Sequence, residues 1–296
     1  MPPTFHSRSE SNRNKTLALM AVFVVFVILL GSFLGYITGL GYILTIVSFI
    51  IAMLMNFFSY YYSDKISIAM VGAQPADPRK HKLAFEAVES MAIASGIPQP
   101  KIFIINDGMI NAFASGRDEK HSVIAITTGS LEKLTKYELQ GVVAHEMSHI
   151  KNRDILVMSV AVALVGVIVF LADIAWRSMI FGGRNRNNRM NAATLVVGLV
   201  LIILAPLLAQ MIKFAISRKR EYLADSDGAL LTRYPDALAS ALQKIKKDPE
   251  ILEAANSATA HLFFANPFKN PDWFTRLFMT HPPIDDRIKI LRGIKV

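Results

Sequence analysis

From Thr16 to Ser63 the chain carries 48 consecutive residues without one Asp, Glu, Lys, Arg or His. A helix rises 1.5 Å per residue and a bilayer core is roughly 30 Å thick, so about 20 residues make one crossing and this run accommodates two. The expected spans are Leu17–Ile37 and Leu40–Tyr62, with a tight turn around Gly39-Leu40-Gly41. A cleaved signal peptide fits poorly, because the first apolar part is too long and no small-residue cleavage site precedes the second. The mean hydropathy of +0.37, high for a chain with 19% charged residues, is therefore gathered into runs rather than spread through a core.

Two more runs follow: Ile155–Ala172 and Met190–Ile212, both uncharged. Pro206 can kink the last without ending it, since neighbouring helices satisfy the freed backbone groups. The division expected is an N-terminal arm at 1–16, a hairpin at 17–62, a soluble part at 63–154, a second hairpin at 155–212 (spans near 155–176 and 190–212) and a second soluble part at 213–296. Tyr60, Tyr61, Tyr62 and Trp176 fall at span ends, where aromatic rings prefer the headgroup level. Arg8, Arg13 and Lys15 flank the first span and place the N-terminus, and with it both soluble parts, in the cytoplasm. Arg177, Arg184, Arg186 and Arg189 sit in the loop of the second hairpin and run against the same tendency. Either that hairpin is re-entrant or the loop is an exception, and full crossing is the reading adopted.

The net charge of +9 does not mark a nucleic-acid surface. Residues 63–154 balance 11 basic against 11 acidic side chains, and the excess borders the apolar runs, so the partner expected for it is a lipid bilayer and not nucleic acid. A transporter would carry ionisable residues inside its spans, and apart from Asp173 at an edge none is present. The soluble parts read as α+β. Asp77-Pro78 predicts a helix start with Leu83, Phe85 and Val88 on its apolar face; Lys101–Ile105 and Ser122–Thr127 predict strands, and Asn111–Ala114 a third. After Tyr222 the chain reads as mostly helical, punctuated by prolines.

The absence of cysteine leaves His and carboxylate as the metal ligands available. His145-Glu146-Met147-Ser148-His149 supplies them in a pattern that carries a mechanism. Residues four apart on a helix share a face, so the two imidazoles can converge on one ion while Glu146, about 100° around the helix, reaches a water beside it. Thr135-x-x-Glu138 is a capping box that starts such a helix. Gly141, one turn before His145, costs about 1 kcal/mol of helix stability relative to Ala and is expected to admit the close approach of a neighbouring strand or of substrate. A third ligand has to come from elsewhere. Glu221 and Asp225, one turn apart just beyond the second hairpin, are the candidates: Glu221 on the metal, Asp225 accepting a hydrogen bond from the far nitrogen of a ligating imidazole. An acid pair at this spacing can also be a solvated helix face.

The order of these motifs, followed by Thr280-His281-Pro282-Pro283, resembles the HtpX-type membrane zinc metalloproteases, relatives of the CAAX prenyl endopeptidases. The resemblance implies a multipass α-helical membrane protein with an α+β, zincin-like cytoplasmic catalytic domain, in the cell membrane, hydrolysing peptide bonds. It implies one Zn²⁺ per chain on His145, His149 and Glu221, with Glu146 as general base. It also implies that Asn111, Ala112 and Phe113 belong to an edge strand holding substrate backbone, and that His281 assists the oxyanion with Arg287 orienting it or a nearby carboxylate. From the residues alone Asn111 is equally a loop Asn, and the Pro pair after His281 equally a helix entry. The substrates implied are proteins, misfolded membrane proteins in envelope quality control among them.

Overall fold

In the computed structural model, which describes residues 5–164, 218–255, 259–260, 262–267 and 282–294, the long uncharged run forms a helical hairpin. Helix α1 spans Phe5–Thr38 and α2 spans Tyr42–Tyr61. Gly39 and Gly41 make the turn at positive φ (78° and 56°), a conformation that side chains with a Cβ resist. Gly31 and Gly35 let the two helices touch: a Cβ on either would collide with Ser48 or with the Gly41 backbone. Both α1 and α2 are long and apolar enough to cross a membrane, and Leu29, Phe33, Ile43, Phe49, Phe57 and Phe58 are turned outward. Residues 5–16, expected as an arm, are the first turns of α1, so one helix runs from the soluble part into the apolar span.

After α3 (Ser63–Met70) comes a four-stranded mixed sheet in the order β1-β2-β4-β3. Its strands are β1 (Gln74–Pro75), β2 (Lys101–Ile105), β3 (Ala112–Gly116) and β4 (Ser122–Thr127). β2 and β4 are parallel, with Lys101 opposite Val123; β3 runs antiparallel to β4, with Phe113 opposite Ala125, and forms one edge. Every residue of β3 and β4 is buried, because both faces of the sheet are covered. Ala112, Ala114, Ile124 and Ile126 belong to one apolar cluster with residues of α4 (Lys82–Ser95), while Phe113, Val123 and Ala125 belong to another with Leu19 and Phe23 of α1.

Asp77-Pro78 does not open α4. The Asp77 side chain accepts the Arg79 N–H and its backbone N–H donates to His81 Nδ1, closing a separate turn, and the helix starts at Lys82. Further along lie α5 (Thr128–Lys133), α6 (Lys136–Lys151) and the apolar helix α7 (Asp154–Leu164). Beyond them come α8 (Arg218–Thr232), α9 (Pro235–Lys247) and α10 (Ile284–Gly293). The rest of the 155–212 hairpin, with its arginine loop, lies outside the described residues, as does His281.

Candidate metal centre

Helix α6 is fixed at its start by the capping box: Thr135 Oγ1 accepts the Glu138 N–H and Glu138 Oε2 accepts the Thr135 N–H. It then runs buried from Gly141 to Ile150. Two glycines let its neighbours close in. A Cβ on Gly141 would come within 3.0 Å of the Leu238 backbone in α9, and one on Gly228 in α8 within 3.0 Å of the His145 backbone nitrogen. The neighbour at Gly141 is thus a helix, and the one at Gly228 carries Glu221 and Asp225 onto the His145 face.

There the donor atoms converge. His145 Nε2 and His149 Nε2 lie 3.1 Å apart, His149 Nε2 is 3.5 Å from Glu221 Oε1 and His145 Nε2 is 3.8 Å from Glu221 Oε2. Ligands at about 2.0–2.1 Å around a tetrahedral ion stand roughly 3.3 Å from each other, so this spacing fits a divalent cation. The outer nitrogens fit too. Asp225 Oδ1 faces His145 Nδ1 at 2.9 Å and Asp154 Oδ2 faces His149 Nδ1 at 3.0 Å, so each carboxylate is placed to hold a ring proton on Nδ1 and free Nε2 for a cation. All three candidate ligand side chains are buried, and among the described residues this is the one His/Asp/Glu cluster that could hold a metal ion.

Each carboxylate behind a histidine is itself held. Arg287, fully buried, forms a bidentate pair with Asp225 (Nε to Oδ2 2.8 Å, Nη2 to Oδ1 2.7 Å), and its guanidinium lies over the Phe264 ring at 4.5 Å. The Asp225 carboxyl resists burial and is held down to about 2 by that guanidinium and by His145. Asp154 Oδ1 accepts from Arg220 Nη1 at 2.9 Å and from Asn12 Nδ2 at 2.7 Å. Burial lowers His145 to about 4, so it presents a neutral ring. Burial acts the same way on His149, but Asp154, Glu221 and Glu146 outweigh it and hold that ring at about 9, the mark of a pocket that favours positive charge. Asp154, Asn12, Arg220 and Phe264 escaped the sequence reading. Only Asp154 left a trace, as the one acid soon after His149.

Glu146 is buried close enough to His149 and Glu221 to interact with their charges, and its Oε2 accepts the Ala114 N–H of β3 at 2.8 Å. Burial, reinforced by the negative charge of Glu221, pushes its carboxyl up to about 8.

Asn111, Ala112 and Phe113 are not brought to an open edge. The alternation of an antiparallel pair turns the backbone groups of Ala112, Ala114 and Gly116 away from β4, and the chain itself engages them. Ala112 C=O accepts the Phe264 N–H at 2.8 Å, Ala114 N–H is on Glu146, and Gly116 N–H donates to Ser159 Oγ. The Asn111 carboxamide donates to Ala265 C=O and accepts the Ala265 N–H, while the Phe113 ring is buried against Phe263. Residues 263–265 thus occupy the place expected for an extended substrate. Their attraction to the edge is the same unpaired backbone that suggested substrate in the first place.

The profile of peptidase family M48 matches residues 78–295. Relatives named protease HtpX homolog include one from Caldanaerobacter subterraneus subsp. tengcongensis, 42% identical over 298 residues and covering 99% of both chains. Another, from Pyrococcus furiosus, is 43% identical over 274 residues, covering 90% of this chain and 94% of its own. The solved structure of S. mikatae Ste24p aligns at 19% identity with a TM-score of 0.48, over 95% of this chain and 65% of that one. Identity above 40% along nearly the whole length, on top of the profile match, has one consequence: this chain belongs to peptidase family M48 and is a membrane metallopeptidase.

Proposed function

We propose that the protein is a zinc endopeptidase that cuts polypeptides at a cytoplasm-facing site. The observation that carries it is the convergence of His145, His149 and Glu221, ligand atoms within 4.8 Å of one another, beside the buried carboxylate of Glu146. Two imidazoles and a carboxylate in a chain without thiolates suit one Zn²⁺ and leave a fourth position for water or substrate. When bound, the zinc supplies a Lewis acid that polarises the scissile carbonyl and acidifies water. Glu146 then works as general base: it takes the proton of the attacking water and returns it to the leaving amine. Its carboxyl, raised by burial and by Glu221, sits where proton exchange near neutral pH is efficient, and a nearby cation favours its ionised form. Asp225, clamped by Arg287, and Asp154 keep both ligating rings turned inward. His281 is assigned to the developing oxyanion on the strength of its motif alone.

The surrounding reading is a multipass protein of the cell membrane. Its catalytic parts, 63–154 and 213–296, are joined through a second membrane hairpin, with the basic N-terminal turns on the cytoplasmic side. Misfolded membrane proteins are the proposed substrates, consistent with a site at the foot of α1 and α2. The decisive comparison uses casein as an unfolded substrate. Glu146→Gln should keep stoichiometric zinc and lose about 10²–10⁴-fold in kcat; cleavage at the parent rate would overturn the mechanism. Topology has its own test. A single cysteine at Asn187 should react with an impermeant maleimide on intact cells, and labelling only after lysis would contradict a full second crossing.

A further inference from the structure

We infer that Asn12, on the first membrane helix, is a positioning residue for the metal centre, holding Asp154 and through it His149. The inference rests on His145, His149 and Glu221 being metal ligands.

Asn12 is 3% exposed although it lies on α1, a little over one turn before the wholly uncharged stretch. A buried carboxamide is costly unless its hydrogen bonds are met. All those of Asn12 are met by groups that hold the metal centre. Nδ2 donates to Asp154 Oδ1 at 2.7 Å and to Asn152 C=O, just past the end of α6, at 2.9 Å. Oδ1 accepts from Arg220 Nη1 at 2.8 Å, and that same nitrogen reaches Asp154 Oδ1 at 2.9 Å. Asp154 is thereby gripped at Oδ1 by Asn12 and Arg220 while Oδ2 faces His149 Nδ1. Arg220 is also the residue before Glu221, so one network sets the second imidazole and the helix carrying the third ligand.

The two ligating histidines are therefore supported differently. His145 is oriented by a pair, Asp225 and Arg287, drawn from α8 and α10. His149 is oriented by a group whose clamp reaches into the membrane helix. A displacement of α1 would leave Asp154 Oδ1 to Arg220 alone and loosen the support of the His149 ring, while the hydrogen bonds behind His145 stayed in place. Thr16, one turn on, offers a contrast: it is equally buried, but its hydroxyl donates only to Asn12 C=O within the helix.

The test uses the full-length protein in detergent, with Zn²⁺ affinity read by competition against a chromophoric chelator and ligand geometry by the d–d spectrum of the Co²⁺-loaded protein. Asn12→Leu and Asn12→Ala should weaken metal binding about tenfold, the low end for outer-shell changes. Each should alter the Co²⁺ bands and lower kcat on casein with KM unchanged. Thr16→Val, which removes a buried hydroxyl from the same helix face, should leave affinity and spectrum as in the parent. Parent-like affinity in the Asn12 variants, or an equal loss in Thr16→Val, would overturn the inference. A parent that binds no metal would overturn the ligand assignment beneath it. If neither Asn12 variant folds, the parent alone decides: coupling is reciprocal, so Zn²⁺ should slow amide exchange across residues 10–16, and unchanged exchange there would refute it.

Discussion

Glu146 Oε2 and the backbone N–H of Ala114 are joined at 2.8 Å, so the edge of the sheet, and not the ligand triad, decides where the proposed base points. Glu146→Asp keeps the charge but withdraws the carboxylate by one methylene from that N–H. It should retain metal and lose on the order of 10² in kcat or more, since misplacing a catalytic group by about 1 Å has that effect. Steady-state kinetics on casein would show it, and a kcat within threefold of the parent would mean that the strand does not set the geometry.

Glu221 is the proposed ligand that arrives from outside the His145–His149 helix. Glu221→Ala should fail to retain zinc through dialysis, whereas the parent stripped with a chelator should regain casein cleavage when zinc is restored. Metal analysis after dialysis separates the two, and stoichiometric zinc in the variant would remove Glu221 from the triad.

Arg287 and Asp225 are both almost wholly buried and bonded through two contacts. Removing one charge strands the other, so Arg287→Met should destabilise the protein by about 3–5 kcal/mol. Part of that should be recovered in the double variant with Asp225→Asn. Denaturant unfolding in micelles measures both, and a single-variant loss below about 1 kcal/mol would show that the pair is not holding α8 to α10.

At Gly228 two effects of opposite sign compete. Alanine would raise helix propensity by about 1 kcal/mol, yet its Cβ would press on the His145 backbone nitrogen at 3.0 Å. Backbone in a buried helix cannot yield as a side-chain tip can, and overpacking costs about 1–3 kcal/mol. Gly228→Ala should therefore be destabilising and should weaken metal binding by prising α8 from α6. An unfolding midpoint above the parent's would reverse that ranking.

Asp248 carries a pH dependence away from the metal. Its carboxylate, 1% exposed, accepts the Ile110 N–H and the Lys133 ammonium. Burial opposes the charge, but those partners prevail and hold the carboxyl below its ordinary 3.8. A depressed folded value means stability present above about pH 4 and lost as the pH falls through the folded pKa. Asp248→Asn should lower the unfolding midpoint at neutral pH and flatten its decline between about pH 5 and 2. A parallel decline would assign the acid sensitivity elsewhere.

Much of this arrangement is legible in the sequence where the pattern is local. The two N-terminal spans, strands β2 and β4, the capping box at Thr135 and the His145–His149 pair each follow from spacing within one element. Asp77-Pro78 misleads because an Asp side chain closes a turn as readily as it caps a helix, and only His81, accepting the Asp77 N–H, decides between them. The supports of the metal centre are harder to read. Asn12 and Asp154 are distant in sequence and meet only because α1 packs on α7, and no periodicity announces an Asn that will face an Asp. The strand expected at Asn111–Ala114 forms at Ala112–Gly116, and Phe264, whose N–H meets Ala112 C=O, comes from a stretch without helical or strand pattern.

The ligand set is split across the chain, with His145 and His149 translated well before Glu221 and the long apolar stretch between them. A ribosome-bound fragment ending before Glu221 would hold two of the three proposed ligands and no complete site. An ion bound there would tie residues 145–149 to 221 across that stretch, doing for a cysteine-free chain what a disulfide across a long loop does in a secreted one.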